Sequence, residues 1–329
     1  MKKSLKCLIA ATASVVSSAA FASSNMENPL YMPKNREVYL KTGAAVMYKE
    51  ADSTEATKTK NMDGKTEFPI WRFSGDIGYG ITDRLDIHGR FGYTHDEDIS
   101  RQGMHRGRVG LTYRVLTEEQ PLVLDLYADM YLSGVTPMKG TLKPYGTSFG
   151  FDFDNYSNGR YGAIVGTRFG KTWDKFTAAA HVEYLQTFGN HNNKIAIDPR
   201  IQAMLYLPNE ISVDLKSTHE TVAGFDLMYQ MDSQWSFGAG FEYVEHYDNG
   251  VKGVHTNIPA AVESMLVQKY SSLNDGWDEY VVKANIANQI TDSIQLAFFA
   301  EYTFDDSHNG CQNGTDVKTE AGFRFNARF

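Results

Sequence analysis

No run of 18 consecutive apolar residues occurs after residue 22, which removes a bilayer-crossing helix from the possible architectures. Cysteine is nearly missing too, with two in 329 residues. Cys7 falls in a segment read below as cleaved, and Cys311 is then alone in a polar Asn/Gly-rich stretch, so an intrachain disulfide is excluded. Positive charge is in deficit, 32 Lys and Arg against 40 Asp and Glu, which argues against a general nucleic-acid binder. No phosphate loop or dinucleotide fingerprint is present, so no cofactor is implied.

The N-terminus reads as a secretory signal. Lys2, Lys3 and Lys6 form a charged region, Leu8 to Val16 an apolar stretch, and Ala20-Phe21-Ala22 a small-residue cleavage site. The apolar stretch is too short and too Ser-rich to span a bilayer. Residues 1–22 are therefore set aside as a signal peptide, and 23–329 is read as one domain. Losing three lysines takes the 32 basic residues to 29 against 40 acidic ones, a mature net charge of −11.

What fills the rest of the chain is alternation. Trp71, Phe73, Ile77, Tyr79 and Ile81 interleave with Arg72, Ser74 and Asp76; after Thr82-Asp83-Arg84, the run Leu85, Ile87, Phe91, Tyr93 interleaves with Asp86, His88 and Arg90. Successive strand residues point to opposite faces, so each run has one apolar and one charged face, and the pair is a hairpin. Further short turns fall at 117–121, Trp173-Asp174, Pro208-Asn209-Glu210, Met231-Asp232-Ser233 and Thr291-Asp292. Longer polar connections run about 50–66, 97–103, 135–158, 190–193, 248–277 and 306–315, with a very short one near His219-Glu220. The pattern predicts strands near 37–49, 67–81, 85–97, 104–116, 122–134, 159–171, 175–188, 194–207, 211–218, 221–230, 234–246, 278–290, 293–305 and 316–329. That is about 14 strands, with 12 or 16 as alternatives, the pair meeting at Ser217-Thr218 and Thr221 being the shortest. A lipocalin-like barrel or sandwich would use the same alternation with its apolar face inward. Against it stand strands of about 12 residues, where five or six is usual.

The last run alternates Val317, Thr319, Ala321, Phe323, Phe325, Ala327, Phe329 with Lys318, Glu320, Arg324, Asn326 and Arg328. It resembles the C-terminal signal of Gram-negative outer-membrane β-barrels, a final amphipathic strand ending in Phe. The resemblance implies an all-β, antiparallel, up-and-down transmembrane β-barrel in the cell outer membrane, with both termini and the short turns in the periplasm. It implies as partners outer-membrane lipid and lipopolysaccharide, and the barrel-assembly machinery through the strand that Phe329 closes. Aromatic banding agrees: Tyr79 and Tyr113 fall near the inner interface, Trp71 and Tyr93 near the outer.

If the apolar face meets lipid, the alternates line the lumen. Arg72, Arg90, Arg106, Arg108 and Arg114 fall there on the early strands, opposed by Asp125 and Asp129 of the fifth. So many ionised groups are too costly to bury dry, which predicts a wetted channel, and Gly78, Gly80, Gly92, Gly110, Gly162 and Gly166 remove bulk. An interior salt-bridge ladder is the alternative. The loop after the fifth strand carries Asp152 and Asp154, and its position and charge resemble the constriction loop of general porins, although the Pro-Glu-Phe-Gly-Gly motif of that family is absent. A helix capped at Asn257, with Ile258, Val262, Met265, Leu266 and Lys269 on one face, could close the mouth or pack on its own loop.

Catalytic signals are thin. Asn155-Tyr156-Ser157-Asn158-Gly159-Arg160 resembles the His-x-Ser-Asn-Gly segment of outer-membrane phospholipase A, but Asn155 stands where a base is needed and cannot take the serine proton. His181 and Glu183 share a face without a third metal ligand. The sequence therefore points to a non-enzymatic channel passing small hydrophilic solutes or ions. A non-conducting barrel that displays loops is the alternative. A hydrophobic-compound transporter is disfavoured because only about 14 residues precede the first strand, too few for an N-terminal plug.

Overall fold

The computed structural model describes residues 25–51, 69–96, 101–132, 161–188, 193–196, 203, 206, 208, 210–247, 251–255, 257–272, 277–307 and 316–329. Twelve long strands close a barrel: β1 (Val38–Ala51), β2 (Ile70–Thr82), β3 (Leu85–Asp96), β4 (Arg101–Leu116), β5 (Val123–Leu132), β6 (Gly162–Trp173), β7 (Phe176–Thr187), β10 (His219–Gln230), β11 (Trp235–Tyr247), β13 (Trp277–Thr291), β14 (Ile294–Ser307) and β15 (Asp316–Arg328). Each pairs antiparallel with its neighbour in chain order, and β15 returns to β1. The barrel sheet therefore has no open edge, as a membrane-spanning sheet requires. At the seam the Phe329 and Val38 backbones exchange both hydrogen bonds, at 2.9 and 3.0 Å. The Phe329 side chain points outward and is largely exposed.

The fourteen-strand expectation resolves to its twelve-strand alternative. The runs expected at 194–207 and 211–218 do not cross. They supply β8 (Asn193–Ala196) and β9 (Glu210–Leu215), which join β12 (Val251–Val254) in a separate three-stranded sheet. Four and six residues are too short to span, where about 9–11 are needed, and Asp198-Pro199 interrupts the first run. The short turn expected at 208–210 and the short loop at 219–220 disappear with them, since His219 already opens β10. Helix α1 (Ala260–Ser272) begins three residues after the expected cap Asn257, leaving Ile258 outside it, with the Val262 and Glu263 amides donating to the Pro259 carbonyl. It lies beside β12 and belongs to this cap rather than to the barrel wall.

Short turns gather at the end that holds both termini. Asp83-Arg84, Asp174-Lys175 and Asp292-Ser293 each join two strands in two residues. Asp174 takes φ 48°, a left-handed conformation that Asp tolerates better than most residues. The cap sits at the other end, between β7 and β10 and between β11 and β13.

The faces decide between the two barrel readings. Trp71, Phe73, Ile77, Tyr79, Ile81, Leu111, Tyr113, Phe237, Phe298 and Phe323 all point out and are about 40–55% exposed. Their alternates Arg72, Asp76, Arg108, Arg114, Glu242 and Arg324 point in. An apolar belt around a charged interior is the reverse of a water-soluble barrel, so the lipocalin-like reading is excluded.

Candidate functional site

The thirteen described residues before β1 do not trail away; they lie across the barrel mouth at the end bearing the termini. Asn25 is buried among three strands, β10, β11 and β14. Its Nδ2 donates to Gln230 Oε1 (2.8 Å) and Ser236 Oγ (2.9 Å), and its Oδ1 accepts from Gln295 Nε2 (2.6 Å). Glu27 accepts from Arg324 (2.9 Å) and Asn326 (2.8 Å), and Lys41 Nζ donates to the Met26 carbonyl (2.6 Å). On the far side of the mouth the Arg36 amide donates to the Gly80 carbonyl (2.7 Å) and the Gly80 amide to Glu37 (2.9 Å). Met26, Leu30 and Met32 are buried beneath this crossing. The expectation that no N-terminal plug exists is thus overturned. A short segment suffices because it lies flat and satisfies its polar groups on the wall.

Burial pushes the Glu27 carboxyl up, but Arg324, Lys41 and the Asn326 amide together hold it below its ordinary range. A carboxylate depressed in the docked state contributes stability above its ordinary value and loses it as pH falls through the depressed one. Loosening of the docked segment by acid should therefore set in only below the ordinary carboxylate range. Glu27→Gln should abolish that acid step in conductance, and a wild-type step near pH 6 would contradict the assignment.

A second anchor lies under the same segment. Asp125 is fully buried and accepts from Arg114 Nε (2.8 Å) and Nη2 (3.1 Å) and from Arg168 Nε (3.1 Å) and Nη2 (2.6 Å). The β4–β5 register sets Arg114 directly opposite Asp125, and the β5–β6 register sets Asp125 opposite Arg168. Arg114 Nη2 also donates to the Leu30 carbonyl at 2.7 Å. Two of the residues expected to line a pore, Arg114 and Asp125, thus lie beneath the N-terminal segment and hold its backbone.

Above the segment the lumen holds a cavity of about 640 Å³. Arg72, Arg90, Arg108 and Asp129 line it, joined by Arg168, Glu183, Asp226, Glu242, Lys283 and Glu301. Arg90 Nε donates to Asp76 (2.8 Å), Arg108 Nη1 to Glu183 (2.9 Å), Arg72 pairs with Glu320, and Lys283 with Glu242. Three histidines sit between carboxylates: His88 between Asp86 (3.0 Å) and Asp129 (3.1 Å), His246 between Glu220 (2.9 Å) and Glu279 (3.2 Å), and His181 between Asp226 (3.6 Å) and Glu242 (3.3 Å). The wall is thus laced with ion pairs, yet its groups remain partly open to the cavity.

The glycines expected to leave room for water serve the wall instead. A Cβ on Gly110 would sit 2.0 Å from Asp129 Oδ1, and one on Gly80 would sit 1.9 Å from the Lys34 carbonyl oxygen. They admit a carboxylate and the plug backbone. Arg106 lies in β4, and its side chain is outside the described residues, as are Asp152 and Asp154, the whole loop 135–158, the Asn155–Arg160 segment, Cys311 and residues 1–22.

No family model matches the sequence, and no curated protein is similar to it. Among solved structures, an outer membrane channel of Pseudomonas putida F1 matches with TM-score 0.57 at 13% identity, over 93% of this chain and 99% of that one. The Pseudomonas putida toluene transporter TodX matches with TM-score 0.45 at 10% identity, over 94% and 93%. At 13% identity the first likeness carries the fold: this chain has the architecture of an outer-membrane β-barrel. In that architecture the short turns face the periplasm and the long connections the exterior. The N-terminal segment lies at the short-turn mouth, and the cap of β8, β9, β12 and α1 lies at the opposite end.

Proposed function

We propose that the chain is exported by residues 1–22 into the cell outer membrane, where it forms a channel for passive diffusion of small hydrophilic solutes or ions. The observation that supports this most is the 640 Å³ cavity walled by Arg72, Arg90, Arg108, Arg168, Asp226, Glu242 and Glu301, since ionised groups in such number require water. A lumen of that chemistry also speaks against a hydrophobic cargo. Phe329 and the closing strand β15 would engage the assembly machinery, and the apolar belt would face lipid and lipopolysaccharide. The alternative, a non-conducting barrel displaying its loops, is favoured by one specific observation: the exterior cap is a folded sheet and helix rather than bare loop.

Planar-bilayer recording of the refolded mature protein separates them. Stepwise openings support the channel, and stable insertion without current supports display. Replacing Arg90 and Arg108 by Ala should then shift the reversal potential toward cation selectivity, because lumen charge sets the potential felt by a passing ion. An unaltered reversal potential with normal insertion would place both side chains outside the conduction path.

A further inference from the structure

We infer that the luminal cavity is a binding site for small zwitterionic solutes, molecules that carry a carboxylate and an ammonium a few ångströms apart; this rests on the channel reading above. The ring order places the charges. Arg90, Arg108 and Arg168 stand on β3, β4 and β6, while Asp226, Glu242 and Glu301 stand on β10, β11 and β14. In the closed ring of twelve, β3 and β4 stand four to six places from β10, β11 and β14, so Arg90 and Arg108 lie across the lumen from Asp226, Glu242 and Glu301, while Arg168 on β6 stands only two strands from Asp226.

Both walls keep unused bonding capacity. Arg90 spends its Nε on Asp76, and its two terminal nitrogens have no partner among the described residues, with the side chain 48% exposed. Across the cavity, Asp226 meets His181 and Glu301 meets Arg324, each at 3.6 Å and beyond hydrogen-bond range, and Lys283, which is paired with Glu242, acts on both acids only through space. The guanidinium wall fits a carboxylate, which Arg recognises with paired donors, and the acid wall fits an ammonium.

Charge balance narrows the class further. The described lining residues include seven Lys or Arg and nine Asp or Glu, with His88 and His181 between them. A monovalent ion attracted by one wall is repelled by the other, whereas a dipolar solute aligned across the lumen is favoured at both. The volume is in the range of small-molecule sites.

The test is proteoliposome swelling with the mature protein, using glutamine as zwitterion, arabinose as neutral solute and gluconate as anion, all of similar size. The expected result is a several-fold faster entry of glutamine than of arabinose. Arg90→Gln and Asp226→Asn, each checked for folding by heat-modifiability, should bring the glutamine-to-arabinose ratio close to one. Glu301→Gln gives an independent third reading from the acid wall. Glutamine added to a planar bilayer should also interrupt the ion current of the wild type, and less so in the variants. Entry of arabinose at the same rate as glutamine, or faster entry of gluconate, overturns the zwitterion assignment and leaves the channel standing. Exclusion of all three solutes overturns the zwitterion assignment, and absence of bilayer current as well overturns the channel reading.

Discussion

Deleting residues 25–33 should raise single-channel conductance several-fold, the largest functional change expected of any short deletion here. Conduction is limited by the narrowest section, and Asn25, Met26 and Leu30 lie buried across the mouth, which makes this crossing the expected limit. The deletion leaves the Arg36–Gly80 and Glu37–Gly80 backbone bonds and the β1–β15 seam untouched, so the barrel should still close. A milder pair, Asn25→Ala with Glu27→Ala, removes the Gln230, Ser236, Gln295, Arg324 and Asn326 contacts while keeping chain length. Each net hydrogen bond contributes about 0.5–1.5 kcal/mol, more where a charge takes part. The double variant should therefore flicker between the wild-type and the enlarged conductance. If both variants conduct as the wild type does, the limiting section lies elsewhere, and the loop 135–158 becomes the leading candidate.

The same segment shows where sequence reasoning stops. Hairpins such as β2–β3 were legible because alternation is local: Trp71 and Arg72 declare opposite faces from neighbouring positions. The plug has no such period. Asn25 is informative only beside Gln230, Ser236 and Gln295, each more than 200 residues away in the chain, and no pattern in residues 25–36 announces that pairing. With Pro29, Pro33 and three asparagines, this stretch carries nothing apolar at a fixed spacing, and its shortness argued against a plug. The buried Met26, Leu30 and Met32 were the one available signal.

The overcount of strands has a different cause. The runs at 194–207 and 211–218 alternate as well as a membrane strand does, and alternation alone cannot tell a crossing strand from a short exterior one. Length could have. Six residues in β9 fall short of the hydrocarbon thickness, and Asp198-Pro199 marks the break. The face of a strand residue follows from parity, but its partners follow from register, which the turns only approximately fix. Arg114 and Asp125 could be named as interior alternates from parity alone, yet the convergence of Arg114 and Arg168 on one buried carboxylate needed the observed pairing.

That carboxylate carries the largest expected loss of stability. Asp125→Ala removes the only acid shared by Arg114 and Arg168, leaving Arg114 buried with the exposed Glu118 as its remaining ion-pair partner. Breaking a buried ion pair from one side costs about 3–5 kcal/mol, because the surviving charge stays desolvated. A barrel of this size should still assemble, since its ladders are intact, but the midpoint of its heat-modifiability should fall well below that of the wild type. Asp125→Asn keeps the volume and a single acceptor oxygen and should lose less. Because Arg114 also donates to the Leu30 carbonyl, the alanine variant should loosen the plug, so the stability loss ought to arrive together with a rise in conductance. A lower melting midpoint with unchanged conductance would separate the two roles and show that Asn25 and Glu27 hold the segment without help from Arg114. No loss of stability at all would mean that water reaches the Arg114 and Arg168 guanidinium groups, and that Asp125 is not the buried counter-charge described above.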